Sequence, residues 1–143
     1  MNENLFDNGI LRVLVPQGWK LFYGIDSECN VSEKKLHIFK EAETEFDIFS
    51  RAGITICFYD KEDIFVSIKD IYDNVEDIEP IRLGEHLWEG YTCTSLGYPY
   101  AMLTSTCNGV IFYAMILIKN GEYEISLEDD DVKTILESIS QAD

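Results

Sequence analysis

Alternating apolar and polar residues in the second half of the chain predict four antiparallel strands joined by tight turns. Asn108-Gly109 and Asn120-Gly121 each separate two β-like runs by two residues, a spacing that is typical of β-hairpins. Gly97-Tyr98-Pro99 is predicted to form a third turn, of three residues. The expected result is an antiparallel meander with strands near residues 86–96, 100–107, 110–119 and 122–127.

The predicted turns also determine which residues of the meander share a face. In this register residue 96 lies opposite residue 100, residue 107 opposite 110, and residue 119 opposite 122. One face then becomes almost entirely apolar and is predicted to be the core face, since a one-residue slip would scatter its side chains over both faces. Its apolar residues are Leu87, Tyr91, Cys93, Ala101, Leu103, Cys107, Val110, Phe112, Ala114, Ile116, Ile118, Tyr123, Ile125 and Leu127.

The opposite face of the meander, called the mixed face here, is neither core-like nor fully polar. It combines threonines with aromatic and methionine side chains, and the latter are residue types that anchor protein partners. The five side chains predicted to be neighbours and to form a partner-binding site there are Trp88, Tyr100, Met102, Tyr113 and Met115. Two interpretations remain open: a helix covers these side chains as a second core, or an uncovered part binds a protein partner or a second copy of the chain.

The rest of the chain predicts further strands and two amphipathic helices. Strands are expected near 9–15, 20–25, 35–40 and 53–59, while residues 41–52 form a loop or a short strand. Apolar residues at helical spacing predict helices over 61–73 and 130–140. The fold class is therefore α+β, an antiparallel sheet with a helix for each face. At this length the chain, residues 1–143, is expected to form one domain.

Three short segments resemble PsbP-like domains of the Mog/PsbP-like superfamily. Residues 10–19 (ILRVLVPQGW) are similar to the opening strand and Pro-x-Gly-Trp of those domains. Residues 83–91 (LGEHLWEGY) resemble the strand start in their middle, and residues 125–139 (ISLEDDDVKTILESI) resemble their end. The order of elements agrees over most of the chain, which would make it a bacterial member of unknown function.

This resemblance implies an α/β/α sandwich, in which helices flank an antiparallel sheet. It also implies a binding role without catalysis, because the superfamily consists largely of adaptors, assembly factors and scaffold subunits. A branch that resembles chaperones of secreted effectors belongs to the same binding class. A fold alone does not determine function, so the specific partner is not implied.

The chain is strongly acidic, with 11 Lys and Arg against 27 Asp and Glu and a formal net charge of −16. This charge argues against nucleic acid and anionic membranes as partners, because phosphate binding requires a basic surface. The longest apolar stretch, residues 110–118, is about half of what a membrane span requires. The first residues show neither a signal peptide nor a lipobox, so a cytoplasmic location is expected.

Catalytic and cofactor-binding motifs are absent from the sequence. His37 and His86 are the only histidines, and neither stands in a motif that places it beside a nucleophile. The acidic run at 128–131 lacks the spacing of a calcium loop and is predicted to begin a helix. We therefore expect no catalytic residue, no metal and no cofactor. For the four cysteines, a buried apolar role is favoured over a disulfide or a reactive thiol.

These observations favour a non-enzymatic interaction or assembly domain that binds a protein partner, or itself, through the mixed face. The alternative is a small-ligand-binding or hydrolytic protein with a pocket between the sheet and a helix. A closed pocket that contains His86, or a cluster of titratable groups, would favour this alternative. A broad open aromatic patch would favour protein binding.

Overall fold

The structure, a computed structural model, describes residues 3–142. The ends of the predicted domain, residues 1, 2 and 143, lie outside the described residues. Two 3-10 helices span Glu45–Phe49 and Lys69–Ile71, and the single α-helix of the described residues, α1, spans Asp130–Ser138. The strands are β1 (Glu3–Asp7), β2 (Leu11–Pro16), β3 (Trp19–Ile25), β4 (Val31–Lys40), β5 (Gly53–Tyr59), β6 (Asp73–Leu83), β7 (His86–Ser95), β8 (Tyr98–Cys107), β9 (Val110–Leu117), β10 (Lys119–Asn120), β11 (Tyr123–Glu124) and β12 (Ser140–Gln141).

A seven-stranded antiparallel sheet with the order β3-β4-β5-β9-β8-β7-β6 forms the centre of the molecule. The strands predicted from the sequence overlap β2 to β5 and β7 to β9. Strands β1, β2 and β12 form a separate three-stranded sheet, and β10 pairs with β11. In the β10–β11 pair Asn120 lies opposite Tyr123, whereas the predicted register places residue 119 opposite 122. The pairing differs by an even number of residues, so the same side chains share a face of the sheet.

The main core lies between one face of the large sheet, the core face, and a layer formed by β2 and α1. Side chains alternate along β2 and recur every three or four residues along α1, so each element directs one apolar side towards the sheet. Together they bury Leu11, Val13, Val15, Val132, Ile135, Leu136 and Ile139. These side chains fill most of the interface between sheet and helix, and a cavity lined in part by His86, Cys107 and Glu137 opens at the end of α1.

The predicted helix near 130–140 is confirmed as α1. Asp129 is its N-cap residue, and Asp130 and Asp131 in the first turn complement the positive end of the helix dipole. The indole Nε1 of Trp19 donates a hydrogen bond to the Asp131 carboxylate at 3.0 Å. This bond connects the beginning of α1 to β3.

The predicted α/β/α sandwich with helices on both faces is wrong, because strands make up 57% of the structure and one α-helix is described. Residues 60–72, which we call the strap, contain only the 3-10 turn Lys69–Ile71 where a helix over 61–73 is predicted. The β-branched residues Ile64, Val66 and Ile68 have low helix propensity. The strap instead directs Phe65 and Tyr72 towards the sheet.

Strand β6 follows the strap and forms one edge of the large sheet. It pairs with β7 through a register that shifts twice, between Asp73 and Glu76 and between Ile78 and Ile81. Acidic side chains and Pro80 face solvent along this edge. Charge, proline and an irregular register all discourage pairing with a strand of another molecule.

The predicted turn between β7 and β8 is wrong. The turn consists of Leu96 and Gly97, with φ angles of +52° and +85°, so that Ser95 lies opposite Tyr98. Pro99, which suggested a longer turn, is the second residue of β8. Its carbonyl accepts a hydrogen bond from the N–H of Ile118 at 3.0 Å.

This change of turn moves the side chains of β7 to the other face of the sheet. Trp88 and His86 lie on the core face, whereas Tyr91 and Cys93, predicted for the core, lie on the opposite side, which we call the outer face. Leu87, also predicted for the core, is 37% exposed. The core-face prediction is confirmed for Ala101, Leu103, Val110, Phe112, Ala114, Ile116 and Ile125.

Candidate protein-interaction surface

The outer face brings together four of the five predicted site residues. Met102 and Tyr113 are buried there, and Tyr100 and Met115 pack beside them and are partly buried. These four residues share a face because of the β8–β9 register, in which Met102 lies opposite Met115. Tyr91 and Cys93 complete this layer through the corrected register of β7.

Trp88, the fifth predicted site residue, does not belong to this group. Its side chain is fully buried in the main core on the other side of the sheet. Its inclusion in the predicted binding site is therefore wrong, because it depended on the incorrect β7–β8 turn.

The strap covers much of the outer face through aromatic contacts. The ring of Phe65 lies 5.1 Å from that of Tyr59 and 5.3 Å from that of Tyr113, both in edge-on geometry. Tyr72 lies 6.4 Å from Tyr91, measured between ring centroids. The two edge-on pairs of Phe65 contribute stabilising free energy in addition to that from the apolar area that they bury.

Ion pairs hold both ends of the strap. At its beginning the ammonium group of Lys34 contacts Asp60 at 2.7 Å and Asp63 at 3.2 Å, which lowers the pKa of the Asp60 carboxyl. Near its end Lys69 contacts Asp77 of β6 at 2.7 Å. The strap thus has a defined path over the sheet although it is not helical.

The layer beneath the strap is electrically neutral. Burial, and then the neighbouring phenols of Tyr72 and Tyr91, raises the pKa of Tyr113. Burial also raises the pKa of the Cys57 and Cys93 thiols. Because these groups keep their protons at neutral pH, the layer acts as apolar support for the strap.

A second segment, the 3-10 helix Glu45–Phe49, covers another part of the outer face. Its Ile48 packs on Phe39, Ala42 and Leu117, next to Tyr100. A small cavity of about 190 Å³ lies beside this contact, lined in part by Phe49, Tyr100 and Met115. Tyr100 and Met115 therefore adjoin a recess in the surface.

The strap and the 45–49 segment direct large apolar side chains towards solvent. These side chains are 46 to 85% exposed, and they are Phe46, Phe49, Ile64, Val66, Ile68 and Ile71. Other exposed apolar residues lie on β1, in the β3–β4 hairpin, near both ends of β7 and at the start of β8. A concentration of exposed apolar side chains marks an interaction surface, whereas single ones are normal.

Acidic residues outnumber basic ones in the two segments that carry these apolar side chains. Glu43 and Glu45 accompany Phe46, and Glu62, Asp70 and Asp73 lie on or next to the strap; all five are exposed. The combined surface has apolar centres and a negative rim. Sequence reasoning missed the strap residues because it assigned their apolar positions to the buried side of a helix.

No protein-family model and no curated protein matches the chain. A 1.50 Å crystal structure from Bacteroides thetaiotaomicron VPI-5482 is similar in fold, with a TM-score of 0.58 at 9% sequence identity. The match covers 100% of this chain and 50% of the other, so the chain spans half the length of that protein. At this identity the similarity concerns the fold alone. The resemblance to PsbP-like domains stays a prediction.

The described residues contain no group of three or more His, Cys, Asp or Glu side chains arranged to hold a metal ion. Within residues 3–142 there is also no helix long and apolar enough to cross a membrane.

Proposed function

We propose that the chain is a non-enzymatic protein-binding domain. Its outer face, at the strap and the 45–49 segment, docks a protein partner that has an apolar centre and a basic rim. The observation that carries this proposal is the set of large apolar side chains exposed on the two segments that cover this face. Burying such side chains against a partner contributes about 25 cal/mol per Å² of apolar surface, before the costs of association.

The partner's charge is inferred from the acidic rim. Two copies of this chain, each with a net charge of −16, would place negative rims against each other. Like charges across an interface oppose association, whereas a basic rim increases both the rate and the specificity of binding. A different, basic protein is therefore the proposed occupant, in preference to a second copy.

The fixed path of the strap supports this role, because a surface that is already ordered loses less conformational entropy on binding. Phe65 and Tyr72 are inserted into the neutral aromatic layer, which leaves Ile64, Val66 and Ile68 directed outwards. The same segment thus provides both the attachment to the sheet and the exposed contact residues.

A pull-down with surface variants tests the proposal. The immobilised chain is exposed to extract from the native host as wild type, as Val66→Glu and as Phe49→Glu. Leu5→Glu is the matched control, since Leu5 is similarly exposed but lies on β1 in the other layer. Circular dichroism confirms that each variant is folded.

The expected result is near-stoichiometric retention of one basic protein by wild type and by Leu5→Glu. Retention should be lost with Val66→Glu and Phe49→Glu and should weaken at high salt, because the rim contacts are screened. Equal retention by all variants would contradict the proposal. So would the absence of any retained protein, or a self-association that only the strap substitutions abolish.

A further inference from the structure

A histidine, a serine and a cysteine meet at one end of the sheet, on the core side and away from the strap. His86 is the first residue of β7, and Ser105 and Cys107 stand near the end of β8. Glu89 of β7 lies opposite Thr104 of β8. Three residues further along the same register, His86 lies opposite Cys107. The incorrect turn concealed this pair in the sequence, because it directed the two side chains to different faces.

Main-chain contacts determine the orientation of the His86 ring. Its Nε2 lies 2.5 Å from the carbonyl oxygen of Ile139, which can only accept a hydrogen bond, so Nε2 carries the proton. When Nε2 alone carries a proton, Nδ1 is an acceptor. Ser105 Oγ lies 2.7 Å from Nδ1, and Cys107 Sγ lies 3.5 Å from it.

A structural role explains the two hydrogen bonds of the His86 ring but not the thiol beside it. The Nε2–H of His86 satisfies a carbonyl just beyond α1, as the indole N–H of Trp88 does for Leu136. Nδ1 in turn accepts a hydrogen bond from the buried Ser105 hydroxyl, but this role does not require a thiol 3.5 Å from the same nitrogen. A nucleophile, a base and a group that orients the base are the parts of an activated thiol.

A cavity of about 610 Å³ opens next to the thiol at the end of α1. The residues that line it include Glu85, Glu137 and Arg12. Arg12 Nε lies 3.3 Å from the Asp7 carboxylate, without hydrogen-bond geometry, so its charge is already compensated. The cavity therefore disfavours anions and favours cations.

We propose that Cys107 is a reactive thiol, with His86 as its base, that undergoes exchange with disulfides of small cationic thiols. The S–H proton of Cys107 passes to Nδ1 of His86, and the sulfur attacks one sulfur atom of the disulfide. A new S–S bond forms at Cys107 while the S–S bond of the reagent breaks. The departing thiolate takes the proton from His86, so the reagent itself is the oxidant.

Exchange at sulfur fits this site because it needs only the groups that are present. A thiolate, a proton acceptor that returns the proton, and space for the reagent suffice for the reaction. Acyl transfer would in addition require donors placed to stabilise an oxyanion. The carboxylates of the cavity select among disulfides by charge.

The first test compares a cationic and an anionic disulfide, cystamine and 3,3′-dithiodipropionate. Mixed-disulfide formation is measured at each cysteine by peptide mass spectrometry, and the exposed Cys29 reports the effect of overall charge. Cys107 should react with cystamine roughly tenfold faster than with the anion, a preference larger than that at Cys29 and reduced by salt. Faster reaction at Cys29, or no extra preference at Cys107, would overturn the proposal.

The second test changes the partners of Nδ1. His86→Gln should slow the reaction of Cys107 with cystamine by at least roughly tenfold, because the base is lost. Ser105→Ala removes the hydroxyl that competes for Nδ1 and should accelerate it about threefold. An unchanged rate in folded His86→Gln contradicts the proposal. If that variant does not fold, an unchanged or lower rate in Ser105→Ala does so instead.

Discussion

Trp88 and Leu136 are joined by a hydrogen bond inside the core. The indole Nε1–H of Trp88 donates to the carbonyl oxygen of Leu136 at 3.1 Å, and both residues are at most 1% exposed. The last carbonyls of a helix lack partners within the helix, so this bond satisfies one of them. The bond connects α1 to β7 and makes Trp88 a residue of the core.

Trp88→Phe should therefore lower the stability of the fold. The substitution leaves the Leu136 carbonyl without its donor and opens space in the core, at an expected cost of about 2 to 3 kcal/mol in unfolding free energy. Chemical denaturation followed by circular dichroism measures it. Trp19→Phe is the control, because its indole bonds to the half-exposed Asp131, whose carboxylate water can solvate. A cost for Trp88→Phe no larger than that for Trp19→Phe would contradict this assignment.

The face of β7 could not be predicted from its sequence alone, because both of its alternating sets contain apolar residues. One set includes Tyr91 and Cys93, and the other includes Trp88. Such a pattern is compatible with two registers, so the length of the turn determines which side chains of β7 face the core. The predicted turn at residues 97–99 was too long by one residue, and the structure places Pro99 second in β8.

At Gly90 of β7 the main chain of β8 occupies the space that a side chain would need. A Cβ atom at this position would lie 1.8 Å from the carbonyl oxygen of Met102 and 3.0 Å from the Cα of Leu103. Both are main-chain atoms, so the sheet itself must shift. Gly90→Ala should cost more than about 3 kcal/mol of unfolding free energy or prevent folding.

Gly24→Ala provides the matched control for Gly90→Ala. The nearest atoms to a Cβ at Gly24 are Cγ and Cδ of the Lys35 side chain, at 2.6 and 2.7 Å. These side-chain atoms, and the His37 ring nitrogen at 3.2 Å, can shift more easily than main chain, so the expected cost is smaller than that of Gly90→Ala. Similar denaturation midpoints for the two variants would show that the close approach at Gly90 is not maintained in solution.

The strap shows why local periodicity was insufficient for the second layer. Its apolar residues follow helical spacing, yet Phe65 inserts between Tyr59 and Tyr113 while Ile64 and Ile68 face solvent. Long-range aromatic contacts determine this path, and they cannot be read from a window of neighbouring residues. In α1, by contrast, the periodic positions do face the core, and the helix prediction is confirmed.

Lys34→Met should loosen the strap without unfolding the domain. Loss of the contacts to Asp60 and Asp63 releases the beginning of the strap, whereas exposed ion pairs contribute little to global stability. Amide hydrogen exchange over residues 60–68 should become faster, with a nearly unchanged thermal midpoint. Lys133→Met, which removes a contact to Glu128 at 3.8 Å, should leave exchange in the strap unaffected. Equal exchange in wild type and Lys34→Met would contradict a role for Lys34 in holding the strap.

His37 should make the fold sensitive to mild acid. Burial, and then the nearby charge of Lys35, lowers the pKa of His37 from 6.5 to about 4, and Nδ1 lies 2.7 Å from the Thr55 hydroxyl. Between these two values the unfolded chain binds a proton that the folded chain does not, so stability decreases as the pH falls from about 6.5 towards 4. After allowance for partial exposure, the loss is on the order of 1 to 2 kcal/mol.

The measurement compares wild type with His37→Gln, which keeps a polar side chain but does not titrate. Unfolding free energies at pH 7 and pH 4.5 are obtained by denaturant titration, because other groups change their charge equally in both proteins. The decrease between the two pH values should be larger in wild type by the contribution of His37. If the two proteins lose the same stability, His37 is not held in its neutral form by the fold.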